Sequence, residues 1–141
     1  MGDDTADPNL IVTQGVHHLG LTVSHLAESA TFFTETLGWR EVRRVPEYPA
    51  IFVSDGTIMV TLWQVAEAGP SQSFDHQHNV GLHHVAFEVA SRAVLESVFA
   101  RVTASGARIE FAPELLREGP AMHMMCYEPS GIRIEFIWLP E

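Results

Sequence analysis

The chain has 141 residues and carries 8 Lys and Arg against 18 Asp and Glu, a formal net charge of −10 at pH 7. This acidic balance argues against nucleic acids and anionic membranes as partners, because phosphate groups are bound by clustered basic side chains. Cys126 is the only cysteine, so an internal disulfide is excluded. The acidic start of the sequence lacks the basic and apolar regions of a secretory signal, and we expect a soluble cytoplasmic protein.

Two similar segments organise the sequence. GVHHLGLTV at residues 15–23 and GLHHVAFEV at residues 81–89 match in pattern at an offset of 66 residues. We therefore expect an α+β fold of two modules, each with the order strand–helix–strand–strand–strand, at about residues 15–65 and 81–139. A polar linker at residues 66–80 joins them within a single domain, 15–141, and residues 1–14 are expected to form a flexible tail.

The predicted elements follow the same order in both halves. Apolar residues at helical spacing predict a helix that ends at Gly38 and a counterpart that ends at Gly106. Ser24 and Ser91 stand where the N-caps of these helices belong. Six further strands are predicted from β-branched and aromatic residues between turn signals: Arg40–Val45, Ala50–Val53, Thr57–Trp63, Arg108–Phe111, Ala121–Tyr127 and Ile132–Trp138.

Histidine pairs occupy equivalent places in the two repeated strands. Side chains alternate across a strand, which places His18 on a polar face with room for a ligand and His84 on the equivalent face of the second module. By the same alternation, His17 and His83 are expected on the packed side. The repeated placement favours His18 and His84 as functional residues over structural ones.

A carboxylate interrupts the apolar last strand at Glu135. A buried carboxylate is costly without a cation, a metal or a proton, and Arg133 on the same face offers an ordinary ion pair as the structural alternative. Two imidazoles and one carboxylate form a ligand set that suits Fe(II), Mn(II), Zn(II) or Ni(II) and leaves coordination positions open. His18, His84 and Glu135 are therefore the candidate metal ligands.

Four motifs together resemble the vicinal oxygen chelate superfamily over residues 15–139: His-x-x-Leu-x-Val, Phe-x-x-x-Leu-Gly-Trp, His-x-x-Phe-x-Val and Pro-x-Gly-x-x-Ile-Glu. This group includes glyoxalase I, fosfomycin-resistance and bleomycin-resistance proteins, methylmalonyl-CoA epimerase and extradiol dioxygenases. The resemblance implies two βαβββ modules that curl a mixed sheet around a metal site, a small-molecule substrate and a homodimer. It places the ligands on the first, fifth and eighth strands, at His18, His84 and Glu135.

Individual members of the superfamily imply further residues. The dioxygenase type uses an acid–base histidine and a tyrosine beside the metal, and His123 and Tyr127 share a face of the seventh predicted strand. Glyoxalase I uses a fourth ligand, Glu or Gln, on the fourth strand. Aligning the last strands of the two modules places Val60 opposite Glu135, and a slip of one residue would place Thr61 there. Neither residue is a good ligand, so we expect little lactoylglutathione-lyase activity.

The reaction type stays open at this point. A metalloenzyme of this superfamily could carry out glyoxalase-like lyase or isomerase chemistry, dioxygenation, or the opening of an epoxide by a transferred nucleophile. The alternative is a metal-free protein that binds or sequesters a small molecule, as bleomycin-resistance proteins do. The intact set of three candidate ligands favours the enzyme.

Overall fold

The computed structural model describes residues 7–66 and 72–141. Residues 1–6 of the expected tail and 67–71 of the expected linker lie outside this range. The elements, in chain order, are β1 His18–Val23, α1 Leu26–Thr31, which continues as a π-helical turn at Phe32–Thr36, β2 Arg40–Val45, β3 Ala50–Ser54, β4 Met59–Gln64, β5 Val85–Glu88, α2 Arg92–Ala104, β6 Ile109–Leu115, β7 Met122–Tyr127 and β8 Arg133–Trp138. The predicted α+β fold of two βαβββ modules is confirmed.

The strands form two four-stranded sheets, with the orders β1-β4-β3-β2 and β5-β8-β7-β6. In each sheet the first strand of the module runs parallel to the last, and the other pairs are antiparallel. Within the described ranges no strand ladder joins the two sheets, so the single curled sheet that we expected is divided in two. The modules are held together by side-chain contacts rather than by backbone pairing between strands.

Helices cover one face of each sheet. The core lies between the helices and the sheets and contains side chains from both. Contacts between the modules run through this core, where Phe33 and Trp39 of the first module place their rings 6.3 and 5.0 Å from that of Phe87 on β5. A polar contact lies beside them, since the Ser29 hydroxyl donates to the buried Glu128 carboxylate at 2.6 Å. In the part of the chain that the structure describes, no helix is both long enough and apolar enough to cross a bilayer.

The two helices begin differently. Ser91 caps α2 as predicted, because its side chain accepts a hydrogen bond from a backbone N–H in the first turn. Ser24 does not cap α1. The Gln64 side chain takes that role by accepting from the Leu26 N–H at 2.8 Å, while its amide donates to the Ser24 carbonyl at 2.7 Å. A residue from a neighbouring strand can thus replace a local cap, which no local sequence pattern shows.

Most predicted boundaries agree with the structure. β2 has the predicted bounds, whereas β6 extends to Leu115, four residues beyond the predicted end at Phe111. Two register irregularities in the pairing of β6 with β7 accompany this longer strand. The glycines expected to end the helices, Gly38 and Gly106, have φ angles of +77° and +82°, which other residues rarely adopt.

Candidate active site

Each sheet has a second face, opposite the core, which we call its open face. The first open face is formed by alternate residues of the first module, among them His18, Gly20, Thr22, Phe52, Thr61 and Trp63. The second open face is formed in the same way by His123, Met125, Tyr127, Arg133, Glu135 and Ile137. Each of these sets lies on one side of its sheet because residues directly opposite in a ladder point to the same face.

The predicted alternation is correct for β1 and wrong for two histidines. Alternate β1 side chains are exposed, starting with His18, and those between them are partly or fully buried. His17 and His83 are exposed and do not lie on the packed side as expected. The reason is that β1 begins at His18 and β5 only at Val85, so neither histidine belongs to a strand.

Glu135 lies between two histidines on the second open face. Its Oε1 atom is 3.2 Å from Nε2 of His84, and its Oε2 atom is 2.5 Å from Nδ1 of His123. The side chains of Glu135 and His123 are only 11% and 13% exposed, so this group is largely shielded from water. Burial strengthens these polar contacts and makes them costly to lose.

The two contacts of Glu135 differ in chemistry. A carboxylate only accepts hydrogen bonds, so Nδ1 of His123 must donate to it. The second histidine, His84, presents Nε2 to the other carboxylate oxygen, and a neutral Nε2 without a proton would bring two lone pairs together. A proton or a shared cation between His84 and Glu135 resolves this repulsion.

Arg133 does not pair with Glu135, which was the structural alternative to a ligand role. It forms a two-point ion pair with Glu110 of β6 instead, at 3.0 Å from Nε and 2.8 Å from Nη2. These hydrogen bonds lower the pKa of Glu110 to about 2. Sequence reasoning missed Glu110, although a lone acidic residue between Ile109 and Phe111 in a predicted strand was a usable signal.

Tyr127 lies at the same end of the second open face. Its hydroxyl donates to Glu110 at 2.5 Å, and it sits opposite Arg133 in the ladder, two residues along β7 from the position opposite Glu135. Burial raises the pKa of the Tyr127 hydroxyl. The structure therefore brings His123 into contact with Glu135 and places Tyr127 against Glu110. The acid–base role of His123 and the catalytic role of Tyr127 stay predictions.

His18 is the candidate ligand that the single chain leaves apart. Its recorded hydrogen bond is to the neighbouring His17, between their Nδ1 atoms at 2.9 Å. Among residues 7–66 and 72–141, no hydrogen bond or ion pair joins His18 to His84 or Glu135, and no group of three or more His, Cys, Asp or Glu is placed to hold a metal ion. One chain thus assembles two of the three candidate ligands.

The strand pairing corrects the alignment of the two modules. Gly20 pairs with Thr61, and Ala86, its equivalent at the offset of 66 residues, pairs with Glu135. Thr61 therefore occupies the position of Glu135, and the placement of Val60 there was wrong. Val60 points into the core and is fully buried. The expectation that this position carries no good ligand holds for Thr61, whose hydroxyl accepts a hydrogen bond from Trp63.

Aromatic side chains dominate the rest of the first open face. The Trp63 ring lies 4.5 Å from that of Tyr48 and 5.5 Å from that of Phe52, and both contacts are tilted or edge-to-face. Trp63 and Phe52 are half-buried and Tyr48 is exposed. This arrangement offers an apolar, partly open surface on the sheet face that carries His18.

Comparison with known proteins gives one family. Residues 15–136 match the Glyoxalase/Bleomycin resistance protein/Dioxygenase superfamily. The uncharacterized protein YqjT of Bacillus subtilis is 26% identical over 127 residues, which cover 86% of this chain and 97% of that protein.

Solved structures have the same fold. A glyoxylase/bleomycin resistance protein/dioxygenase domain from Frankia is 26% identical, with a TM-score of 0.79 over 92% of this chain and 94% of that one. The fosfomycin resistance protein FosX of Listeria monocytogenes, at 16% identity, has a TM-score of 0.68 over 91% of this chain and 95% of that one. The chain belongs to the Glyoxalase/Bleomycin resistance protein/Dioxygenase superfamily.

Proposed function

We propose that the protein is a divalent-metal-dependent enzyme that acts on a small substrate with adjacent oxygen atoms. His18, His84 and Glu135 would hold the metal, which could be Fe, Mn, Zn or Ni. The observation that carries this proposal is the approach of His84 Nε2 to Glu135 Oε1, 3.2 Å apart on a sheltered sheet face. Both groups are ordinary metal ligands, and a shared cation is one of the two ways, besides a proton, to remove the repulsion between their lone pairs.

The distance between these two atoms fits one edge of a coordination sphere. A separation of 3.2 Å would let Nε2 of His84 and Oε1 of Glu135 bind the same metal ion. His123 is less suitable as a ligand, because its Nδ1 lies only 2.5 Å from Glu135 Oε2. It suits a second role, as the donor that orients the Glu135 carboxylate.

A second copy of the chain would supply the third ligand. Among the described residues no hydrogen bond or ion pair joins His18 to His84 or Glu135, and no group of three ligating side chains is placed to hold a metal within one chain. In a two-fold symmetric dimer, the first open face of each protomer can cover the second open face of its partner, which completes two identical sites. The homodimer is thus part of the proposed site.

The residues around the metal would then have different roles. When bound, the metal would act as a Lewis acid that polarises the substrate oxygens. His123 holds a proton at Nδ1 against Glu135 and can keep the carboxylate in one orientation. The aromatic surface formed by Tyr48, Phe52 and Trp63 would lie next to the site and exclude water from one side of an organic substrate.

The residue at the position equivalent to Glu135 limits the reaction types that the site could catalyse. Thr61 supplies no carboxylate, so this position offers no acidic residue to move a proton between adjacent carbon atoms. General base catalysis contributes typically ~10²–10⁴-fold to a rate, and we expect little isomerisation of hemithioacetals. Chemistry that needs only three protein ligands, such as dioxygenation or opening of an epoxide, is favoured.

The test combines metal analysis with mixing of two inactive variants. His18→Ala and Glu135→Ala should each lose most of the bound metal. When the two are unfolded together and refolded, mixed dimers should regain one intact site, built from His18 of one chain and His84 and Glu135 of the other. Recovery of metal only in the mixture supports the shared site. No recovery would contradict the site between chains, and a wild type that takes up no added metal would contradict the enzyme proposal.

A metal-free binding protein is the second candidate function. The aromatic surface on the first open face favours it, because partly exposed aromatic rings can bind an apolar organic molecule without any metal. The same metal analysis separates the two candidates. A wild type that binds no metal but binds an aromatic probe with quenching of tryptophan fluorescence would support sequestration.

A further inference from the structure

The first open face carries arginines but no carboxylates among its paired strand residues. Besides the residues already named, the ladder places the following side chains on this face: Arg40, Arg43, Val45, Ala50, Ser54 and Met59. None of the ladder residues on this face is acidic, although the whole chain has 18 Asp and Glu against 8 Lys and Arg. Arg40 and Arg43 therefore give this face a positive charge within a protein whose net charge is −10.

The second open face has the opposite character. The ladder pairs Glu114 with His123 and Glu88 with Ile137, which places both carboxylates on the face that carries Glu135. Like charges repel an approaching anion, and this repulsion is strongest where the carboxylates are close together. An anionic ligand is therefore favoured on the first open face over the second.

A bulge in β2 separates two neighbouring arginines. The register shifts between Glu41 and Arg43, so that Arg43 pairs with Phe52 and Arg44 pairs with Ile51. Ile51 is buried in the core, so Arg44 lies on the helix side of the sheet, where it forms an ion pair with Glu41 at 2.6 Å. No carboxylate of the described residues pairs with Arg43. Its guanidinium is thus available to a ligand on the open face.

The guanidinium of Arg43 lies at the edge of the aromatic surface. Its central carbon is 6.0 Å from the centre of the Phe52 ring, which itself lies 5.5 Å from the ring of Trp63. Attraction between the cation and the ring favours this position of the side chain. A guanidinium above a ring still has N–H groups that can donate two parallel hydrogen bonds to an oxyanion. The aromatic rings and the charge therefore adjoin on one surface.

The width of the sheet separates this charge from the candidate metal ligand. His18 lies on β1 and Arg43 on β2, with β4 and β3 between them. Neighbouring strands are ~4.8 Å apart, so the two backbones are about 14 Å apart across the sheet. The guanidinium leans back over Phe52 on the adjacent strand, which leaves about 10 Å between it and β1. A molecule that contacts both residues needs an extended organic body.

We propose that Arg43 is a specificity-determining residue that binds the anionic end of the substrate, and that the substrate is an extended organic oxyanion. Its apolar body lies on the aromatic surface, and its other end carries the adjacent oxygen atoms. The proposal deepens the proposed function and rests on it only for the end that meets the metal. The charge of the face and the position of Arg43 are independent of any metal.

The experiment compares two probes of nearly equal shape, the anion naphthalene-2-sulfonate and the neutral 2-(methylsulfonyl)naphthalene, by equilibrium dialysis against the full chain as purified. Wild type should bind the sulfonate about fivefold more tightly, as expected for an exposed ion pair, and added salt should reduce this preference. Arg43→Gln should abolish the preference and leave the affinity for the neutral sulfone unchanged. Arg44→Gln is the matched control from the other side of β2 and should retain the preference.

Three results would overturn the proposal. These are equal affinities of wild type for the two probes, equal loss of the preference in Arg43→Gln and Arg44→Gln, and a preference that survives Arg43→Gln but is lost in Arg40→Gln. Sedimentation of the variants tests the other use of the charge, a contact with the acidic face of a second copy. An Arg43→Gln variant that dissociates and binds both probes more weakly would assign Arg43 to that contact and overturn the proposal.

Metal analysis keeps this proposal separate from the proposed function. A wild type that takes up no metal would contradict the enzyme, whereas the preference for the sulfonate would still decide the role of Arg43. Arg43→Gln should retain the metal content of wild type, because the residue lies at the far edge of the sheet from His18. Arg40, Arg43 and Arg44 are exposed, so all three variants should fold.

Discussion

The two modules share one backbone plan and differ in the chemistry of their open faces. At matching positions the first module has Thr61 and Met59, and the second has Glu135 and Arg133. Aromatic side chains cover much of the first open face, whereas the second carries an ion pair and a carboxylate between two histidines. The difference indicates that a duplicated unit has been divided into a surface for apolar contact and a surface for polar chemistry.

The largest expected effect is on metal affinity, and it compares substitutions at the equivalent positions of the two modules. Glu135→Gln should lower metal affinity by more than about 100-fold, because loss of a ligand exceeds the ~10–100-fold effect of losing an outer partner. Thr61→Val, the matched change in the first module, should alter metal affinity little. Isothermal titration with a divalent metal measures both. Equal losses in the two variants would show that Thr61 also binds the metal.

The next comparison concerns the helices. Ser29 on α1 corresponds to Leu95 on α2 at the offset of 66 residues, and only the serine donates to Glu128 across the module boundary. Burial raises the pKa of Glu128, and the Ser29 hydrogen bond opposes that rise. Ser29→Ala should lower the free energy of unfolding by about 2 kcal/mol, since Oε2 of the buried Glu128 loses the Ser29 donor.

This loss should depend on pH in a defined direction. The hydroxyl stabilises the ionised carboxylate, so Ser29→Ala should cost more at pH 8 than at pH 5, where more of Glu128 is protonated. Urea unfolding at the two pH values measures it. Ser97→Ala on the exposed side of α2 is the control and should change stability by less than about 0.5 kcal/mol. A loss for Ser29→Ala that does not vary with pH would argue against the contact with Glu128.

A third prediction separates the two faces of β4. Val60→Thr adds a hydroxyl to the core face, where the side chain is fully buried, and should lower the free energy of unfolding by about 1–2 kcal/mol. Thr61→Val removes the acceptor of the Trp63 N–H on the open face, and should cost less because Trp63 is only half-buried. Urea midpoints rank the two variants. The reverse order would mean that the register of β1 with β4 is misassigned.

The smallest effect concerns one ion pair from each module. The carboxyl of Glu110 has its pKa lowered to about 2 by Arg133, so its contribution to stability is present above about pH 4.5 and lost as the pH falls toward 2. Glu110→Gln should therefore reduce the difference in urea midpoint between pH 7 and pH 3. Glu41→Gln removes an exposed pair with Arg44 and should leave that difference unchanged. An equal change of this difference in both variants would show that the burial of Arg133 adds nothing to the stability that its ion pair provides.

Much of the architecture could be predicted because it depends on local patterns. Strand alternation correctly assigned His18 to an open face, and Gly38 and Gly106 marked the ends of two helices. The placement of Val60 opposite Glu135 failed, because a sequence alignment of two strands has no information on ladder register. Register depends on partners from another strand, and a shift of one residue exchanges the two faces.

The sequence by itself determined the repeat, the order of elements, the family resemblance and the three candidate ligands. Tertiary structure alone decided which polar groups meet: Arg133 binds Glu110 rather than Glu135, and His123 rather than an arginine holds the carboxylate of Glu135. It also decided that one chain unites only His84 and Glu135. The physical reason is the separation along the chain of the residues that determine each feature. Alternation and helix ends are set by neighbours in sequence, whereas polar partners are chosen among side chains brought within hydrogen-bond distance by folding.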